Sequence, residues 1–348
     1  MRNVLILLVL TVFGSCQKNT EKSKKPISSI EVTTVFEDSI SIRTLEVLND
    51  GTVAFAGSGG KFGSYDPNGG KVQVAVQKYD SLTPSFRATA HTDSDFFMLS
   101  IESPSLLYKT GDDGRMQLVY KESDSLAFYD AMQFWDNQEG IAFGDPTSDC
   151  MSLIITRNGG KSWQKVPCDL LPKVHQGEAA FAASNGNIVT KGDKAWLLSG
   201  GMISRVYYTT DRGKSWEVFE TSLIAGKNTT GGYAMDFYDE NLGIIVGGDY
   251  SDPDGNVDNK AITRDGGKTW ELIASGQQPD YKSSVQFVPE GNGQEIIALG
   301  FTGIDYSQDG GASWSSLSDE PFYTFRMVND SLAYAAGNNR LARLKFSR

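Results

Sequence analysis

The chain has 348 residues, with 32 Lys plus Arg against 43 Asp plus Glu; the net charge of −11 argues against a broad nucleic-acid footprint. Hydrophobic residues make up 39% and charged residues 22%, which marks a folded chain, and three Cys with two His leave little room for a Cys/His metal site. Glycine is abundant at 37 residues and aromatics reach 11%, a pairing that points to many short strands joined by tight turns.

Met1, Arg2 and Asn3 make a short positive start. The apolar run 4–13 that follows is too short to span a bilayer as a helix and suits a signal-peptide core. It ends in Phe13, Gly14, Ser15 and Cys16, which resembles a bacterial lipobox with Phe where Leu is usual. The resemblance implies removal of residues 1–15 and lipid attachment to the Cys16 thiol; a plain secretory signal is the alternative. Residues 16–29 are polar and Lys-rich and read as the lipidated Cys plus a flexible tether. No Asp follows Cys16 directly, which favours the outer membrane. The expected location is the cell envelope, on the periplasmic or surface side, with membrane contact through the anchor only.

Beyond the tether, residues 30–36 form a strand that stands outside the first repeat. Inner strands then recur near Ile42, Phe86, Tyr129, Ala179, Ala234, Ser284 and Thr324. Each opens a pattern of strand, turn, strand, loop, strand, turn and strand. In the repeat that begins at Ser284 the strands are expected at 284–288, 295–299, 303–306 and 313–317. The turn before the fourth strand is the most regular feature. It reads Thr-Arg-Asn-Gly-Gly-Lys-Ser-Trp at 156–163, Thr-Thr-Asp-Arg-Gly-Lys-Ser-Trp at 209–216, Thr-Arg-Asp-Gly-Gly-Lys-Thr-Trp at 263–270 and Ser-Gln-Asp-Gly-Gly-Ala-Ser-Trp at 307–314. Weaker copies occupy 110–117 and 66–73. In such a turn Asp112, Asn158, Asp211, Asp265 or Asp309 accepts backbone N–H bonds, Gly supplies positive φ, and Trp163, Trp216, Trp270 or Trp314 buries its ring against the neighbouring sheet. These residues are expected to be scaffold.

The boxes resemble the Asp-box, Ser/Thr-x-Asp-x-Gly-x-x-Trp, of BNR-repeat β-propellers. Four antiparallel strands in roughly 45 residues make one propeller blade. The fold class is therefore all-β: a seven-bladed β-propeller over 30–348, with six or eight blades as alternatives. The last repeat ends at Phe346 without a fourth strand, and the spare N-terminal strand is expected to complete it and close the ring. The blade count, the lipobox and the boxes together resemble photosystem II stability/assembly-factor-like propellers, over about residues 30–346. That resemblance implies a protein-binding or assembly role and brings no catalytic residues with it.

The Gly-Lys-Ser/Thr triplets at 160–162, 213–215 and 267–269 mimic the end of a phosphate-binding loop. The required upstream glycine is replaced by Ile155, Tyr208 and Ile262, on strands, so no phosphate site is expected. Gly57, Gly59 and Gly60 are not followed by a helix and support no nicotinamide or flavin site.

The loops opposite the boxes are long. Cys150 and Cys168 fall on two of them, on the same blade and the same face, which suggests a disulfide. Asp252, Asp254, Asn256 and Asp258 alternate as Ca²⁺ ligands do, yet lack the Gly and Glu of a calcium loop; a solvated acidic turn is the competing reading. No other cofactor is expected. Aligning the inner strands puts Arg43, Arg87, Asp130, Glu178, Tyr233, Ser283 and Tyr323 at the channel mouth, with His175 nearby. Such a funnel can hold an anionic or carboxylate group, and its competing reading is a solvated ring of ion pairs. The partner is expected to be an envelope protein or a small anionic ligand, without catalysis. A sialidase-like glycosidase would cast Arg43 and Arg87 as carboxylate binders with Glu178, Tyr323 and Asp130 at the reacting bond. Such enzymes carry a Phe/Tyr-Arg-Ile-Pro motif where this chain has Ser41, Ile42, Arg43 and Thr44. An oxidoreductase, the label some relatives carry, has no motif in its favour.

Overall fold

The computed structural model describes residues 25–348. The expected signal peptide, Cys16 and most of the expected tether lie outside the described residues. The described chain is almost entirely strand, and its antiparallel strands fall into six hydrogen-bonded sheets. One of these has seven strands because the long strand Ser29–Val47 serves two blades. Its first part pairs with Asn338–Ser347, from Ser29 opposite Ser347 to Ser41 opposite Asn338. Its second part pairs with Val53–Gly57, from Ile42 opposite Gly57 to Val47 opposite Val53. The N-terminal strand is thus the outer strand of the last blade and the inner strand of the first. It covers an edge that would otherwise stay open.

The buried clusters follow the same ring. Blade one and blade two share a core around Ala56, Phe86 and Met98, and blades two and three share Phe97, Met132 and Trp163. Blades three and four meet at Phe143, Ile155 and Tyr207, and blades four and five at Trp196, Phe237 and Trp270. The next two junctions are built on Ile244 with Phe287 and on Ile297 with Phe325. Phe55 and Tyr334 join the last blade to the first. Among the described residues, seven apolar clusters each fill one junction between neighbouring four-stranded units. Alternating strands bury one face on each neighbour, so most residues of the inner three layers are buried and the exposed strand residues concentrate in the outer strands.

The boxes act at these junctions. Asp211 accepts from Lys214 N and Ser215 N at 2.9 Å, from Ser215 Oγ at 2.6 Å and from Thr209 Oγ1 at 2.8 Å. Asp265 repeats the set with Lys268 and Thr269, and Asp309 and Asn158 bond Ser313 and Ser162. The turn then brings a positive-φ glycine against the preceding blade. A Cβ on Gly160 would meet Phe97 Cε1 at 2.2 Å, so only glycine fits both the backbone and the contact. The weak copy at 110–117 lacks this construction: Asp112 is exposed, and Asp113 takes the Arg115 N–H instead.

Two sequence expectations need correction. Residues 25–29 are not free tether. Ile27 is buried in the core between blades six and seven, its N–H donating to Tyr306 Oη at 3.3 Å, and Ser28 N–H donates to Ser347 O at 2.8 Å. One apolar residue with a matching socket suffices to dock the segment. The inner strand of blade four, expected near Ala179, is split. Glu178–Ala179 pairs briefly with Gly200–Gly201, and the main inner strand is Ile188–Lys191 against Lys194–Leu198. Between them, residues 180–187 leave the sheet.

Candidate functional site: the channel mouth

The segment that leaves blade four crosses the central channel. Asn185 Nδ2 donates to Thr89 O of blade two at 2.9 Å, and its Oδ1 accepts the Met132 N–H of blade three at 2.8 Å. Thr324 of blade seven donates to Ser184 O at 2.9 Å, and Met235 N–H of blade five to Gly186 O at 2.8 Å. Four inner strands are thereby tied to one plug. Small side chains and a positive φ at Asn185 allow the chain to pass this crowded axis. The channel becomes two cavities, one on each side.

Their orientation follows from register. In blade three Tyr129 pairs with Gly144, whereas Phe134 pairs with Gly140, which pairs with Thr156. The box after Thr156 therefore lies at the end of the blade opposite Asp130 and the loop after Gly144. The cavity on the box side, about 270 Å³, holds Glu46, His91 and Arg326. His91 Nδ1 is 3.1 Å from Glu46 Oε2, and this bond raises the imidazole above its ordinary value. Arg326 Nη2 lies 3.6 Å from the same carboxylate. Asp236 is pushed up to about 6 by burial while accepting Phe287 N–H at 2.7 Å.

The mouth cavity is larger, about 490 Å³, and is floored by the plug. Arg43, Arg87, Asp130 and Tyr233 line it. The Arg43 guanidinium stacks on Tyr323, 4.0 Å from the ring centroid, and Arg87 Nη1 donates to Ala182 O at 3.3 Å. Burial first, then the Arg43 charge, lowers the Arg87 pKa. Two guanidinium groups in one cavity, neither in a salt bridge among the described residues, favour an incoming anion. Asp130 is fully buried and held well above the usual carboxylate range, by burial and then by Asp145. Burial pushes Asp145 up to about 6.

The remaining expected mouth residues are placed elsewhere. Ser283 is buried, its hydroxyl donating to Tyr323 O at 2.8 Å. Glu178 turns into blade four. It pairs with Arg205, both side chains nearly inaccessible, and accepts from Ser199 Oγ at 2.6 Å and Tyr207 Oη at 3.0 Å. The split of the blade-four strand moved it out of the inner ring, and this leaves it no exposed carboxylate for a glycosidase role. His175 is exposed on the preceding loop and donates its backbone N–H to Glu178 Oε2 at 2.9 Å. Cys150 and Cys168 form a disulfide with Cα atoms 5.5 Å apart, joining two loops of the mouth face. Asp252, Asp254 and Asp258 do not converge. Among the described residues no group of three His, Cys, Asp or Glu could hold a metal ion. The Asn256 backbone carbonyl accepts the Gly276 N–H at 3.0 Å, and Asp258 Oδ1 accepts from Ser275 Oγ at 2.7 Å.

Alignment of inner strands alone missed several mouth residues. Asp145 and Phe301 directly follow Gly144 and Gly300, which end the second strands of their blades, and Tyr250 follows Gly248 by two. The small-residue ends of second strands were the available signal. Tyr250, Phe301 and Met202 remain substantially exposed here, giving the mouth an apolar rim.

Residues 207–218 match the family model "BNR/Asp-box repeat". The chain carries a BNR/Asp-box repeat. The match runs from within the third strand of blade four through the box to the start of the fourth strand. No curated protein is a significant sequence match. Among solved structures, the chain is similar to YCF48 bound to D1 peptide, with a TM-score of 0.66 at 13% identity over 92% of this chain and 97% of that one. YCF48 from Cyanidioschyzon merolae gives 0.65 at 11% identity, covering 91% and 99%. The RRP9 WD40 repeats give 0.62 at 12% identity, covering 93% and 99%. At these identities the likeness establishes a propeller fold. Among the described residues no helix is long and apolar enough to cross a membrane.

Proposed function

We propose that the chain is a binding module that captures a segment of a partner protein at its mouth cavity, through an acidic group held by Arg43 and Arg87. The observation that carries this reading is the pair of guanidinium groups in one cavity, neither in a salt bridge with a described carboxylate, at the base of an aromatic rim. Unpaired cations on a rigid floor are suited to bidentate recognition of a carboxylate, and exposed aromatic side chains supply apolar contact around it. Similarity to a propeller solved with a bound peptide supports a protein partner over a small ligand. The lipobox-like Phe13 to Cys16 supports an envelope lipoprotein, with the propeller tethered through Cys16 at the outer membrane.

Cross-linking in intact envelopes tests the reading. The Arg43→Ala/Arg87→Ala variant is compared with wild type at matched thermal stability. An envelope protein that co-purifies with wild type and is lost with the variant supports mouth capture. A partner captured equally by both sends the search to another face. For the anchor, Cys16→Ser is expected to abolish labelling by radioactive palmitate; retained labelling contradicts it.

A further inference from the structure

The mouth cavity contains a second, acidic pair of side chains, Asp130 and Asp145, that forms no salt bridge with the two arginines. Asp130 is completely buried, and among the described residues neither carboxyl oxygen has a hydrogen-bond partner of good geometry. The Asp145 backbone N–H nearby is already given to Phe128 O at 2.8 Å. The Asp145 side chain lines the same cavity and accepts the Ala180 N–H at 2.8 Å. Neither carboxyl group forms a salt bridge with Arg43 or Arg87, which spend themselves on the Tyr323 ring and Ala182 O.

Buried polar atoms in folded proteins nearly always have partners, and an orphaned one calls for an explanation. Two buried carboxyl groups side by side are stable when a proton is shared between them or when a cation arrives. Structural burial does not explain why a residue in the wall of this cavity is acidic. Tyr233, Tyr250 and Tyr281 line that cavity, and aromatic faces stabilise a desolvated cation.

We propose that Asp130 and Asp145 form a subsite for a basic group, a primary ammonium or a guanidinium, on the same protein segment whose acid meets Arg43 and Arg87. The proposal rests on the mouth-binding reading and narrows it: the captured segment carries an acid and a base close together in sequence. The incoming N–H donors fill the lone pairs that the protein leaves open. Charge balances across the cavity, two guanidinium groups facing an acid and two carboxyl groups facing a base. Arg87 and Arg43 are the cations that face the pair across the cavity.

The test uses the full-length protein and an array of heptapeptides in a Gly/Ser background. Each has Glu at the centre and Lys, Arg, Gln, Leu or Glu at one flanking position. Wild type is expected to bind the best Lys- or Arg-flanked peptide at least fivefold more tightly than its Gln and Leu counterparts. Asp130→Asn/Asp145→Asn is expected to lose that preference while keeping the binding of Glu with Gln or Leu. Arg43→Gln/Arg87→Gln is expected to lose binding of the Gln- and Leu-flanked peptides. Equal binding of all flanks by wild type overturns the basic subsite and leaves acid capture standing. A preference that survives in the double Asn variant also overturns it, because the base is then read elsewhere. Absence of binding to every peptide by wild type overturns both readings. Thermal stability separates a binding role from a structural one: the double Asn variant is expected to melt no lower than wild type, and a marked fall assigns the pair to the scaffold and contradicts the proposal.

Discussion

Asn185 and Thr89 meet across the channel axis, the Asn side-chain amide donating to the Thr carbonyl at 2.9 Å although 96 residues separate them. That bond, with the Met132 N–H on the other side of the same amide, makes one side chain a keystone for blades two, three and four. Asn185→Ala leaves buried backbone groups unsatisfied and puts an alanine at positive φ. The loss is expected to be about 2–4 kcal/mol, measured by urea denaturation. A loss near zero would mean that water or a neighbouring group replaces the amide.

Glu178 and Arg205 make a different kind of contribution. Removing one partner of a buried ion pair strands the other, and this typically costs about 3–5 kcal/mol. Glu178→Gln is expected to destabilise by that order while leaving partner binding per folded molecule unchanged. Weaker binding at full folding would return Glu178 to the mouth.

The pH dependence of stability has a defined sign at Asp145. Its folded pKa, about 6, lies above the ordinary carboxylate value, so the folded state holds the proton more tightly than the unfolded state. Stability is therefore greatest below the unfolded value and falls as pH rises from about 4 through about 6. Asp145→Asn is expected to flatten this fall. Asp236 shares the window and Asp130 faces both Asp145 and Arg87, so the comparison is made as the difference between wild-type and variant curves. A difference that does not change between pH 4 and 6 would contradict the assignment.

Much of this architecture was legible because boxes and inner strands repeat. Thr209, Asp211, Gly213 and Trp216 each have one physical task, and the tasks recur in register, so a turn and a blade junction can be read from spacing. The closing strand was legible as an unpaired strand at one end and a missing strand at the other. The plug was not. Residues 180–187, mostly alanine, serine, glycine and asparagine around Phe181, carry no strand pattern, and the bonds of Asn185 to Thr89 and Met132 join positions that only the closed ring brings together. The same insertion carried Glu178 out of the mouth. Mouth residues on inner strands, Arg43, Arg87, Asp130 and Tyr233, were readable by alignment, whereas Tyr281 and Phe181 come from connections with no repeating pattern.

The disulfide gives an independent check on the mouth loops. Cys150 and Cys168 close a loop with a sequence separation of 18, for which chain entropy gives roughly 3 kcal/mol. Cys150→Ser/Cys168→Ser is expected to lower stability by about 2–4 kcal/mol under oxidising conditions, and reductant is expected to bring wild type to the same value. A wild type insensitive to reductant would mean that the bond adds little to folding stability.

If the partner is captured as proposed, it meets the mouth face and not the box face. Site-specific photocross-linking in living cells tests it directly, with the probe placed at Phe301 on the mouth rim or at Val328 on the box side, both exposed. The expected result is a discrete protein adduct from position 301, reduced at least fivefold by Arg43→Gln/Arg87→Gln, and none from position 328. Adducts from position 328 alone, or from 301 without dependence on the arginines, would contradict it.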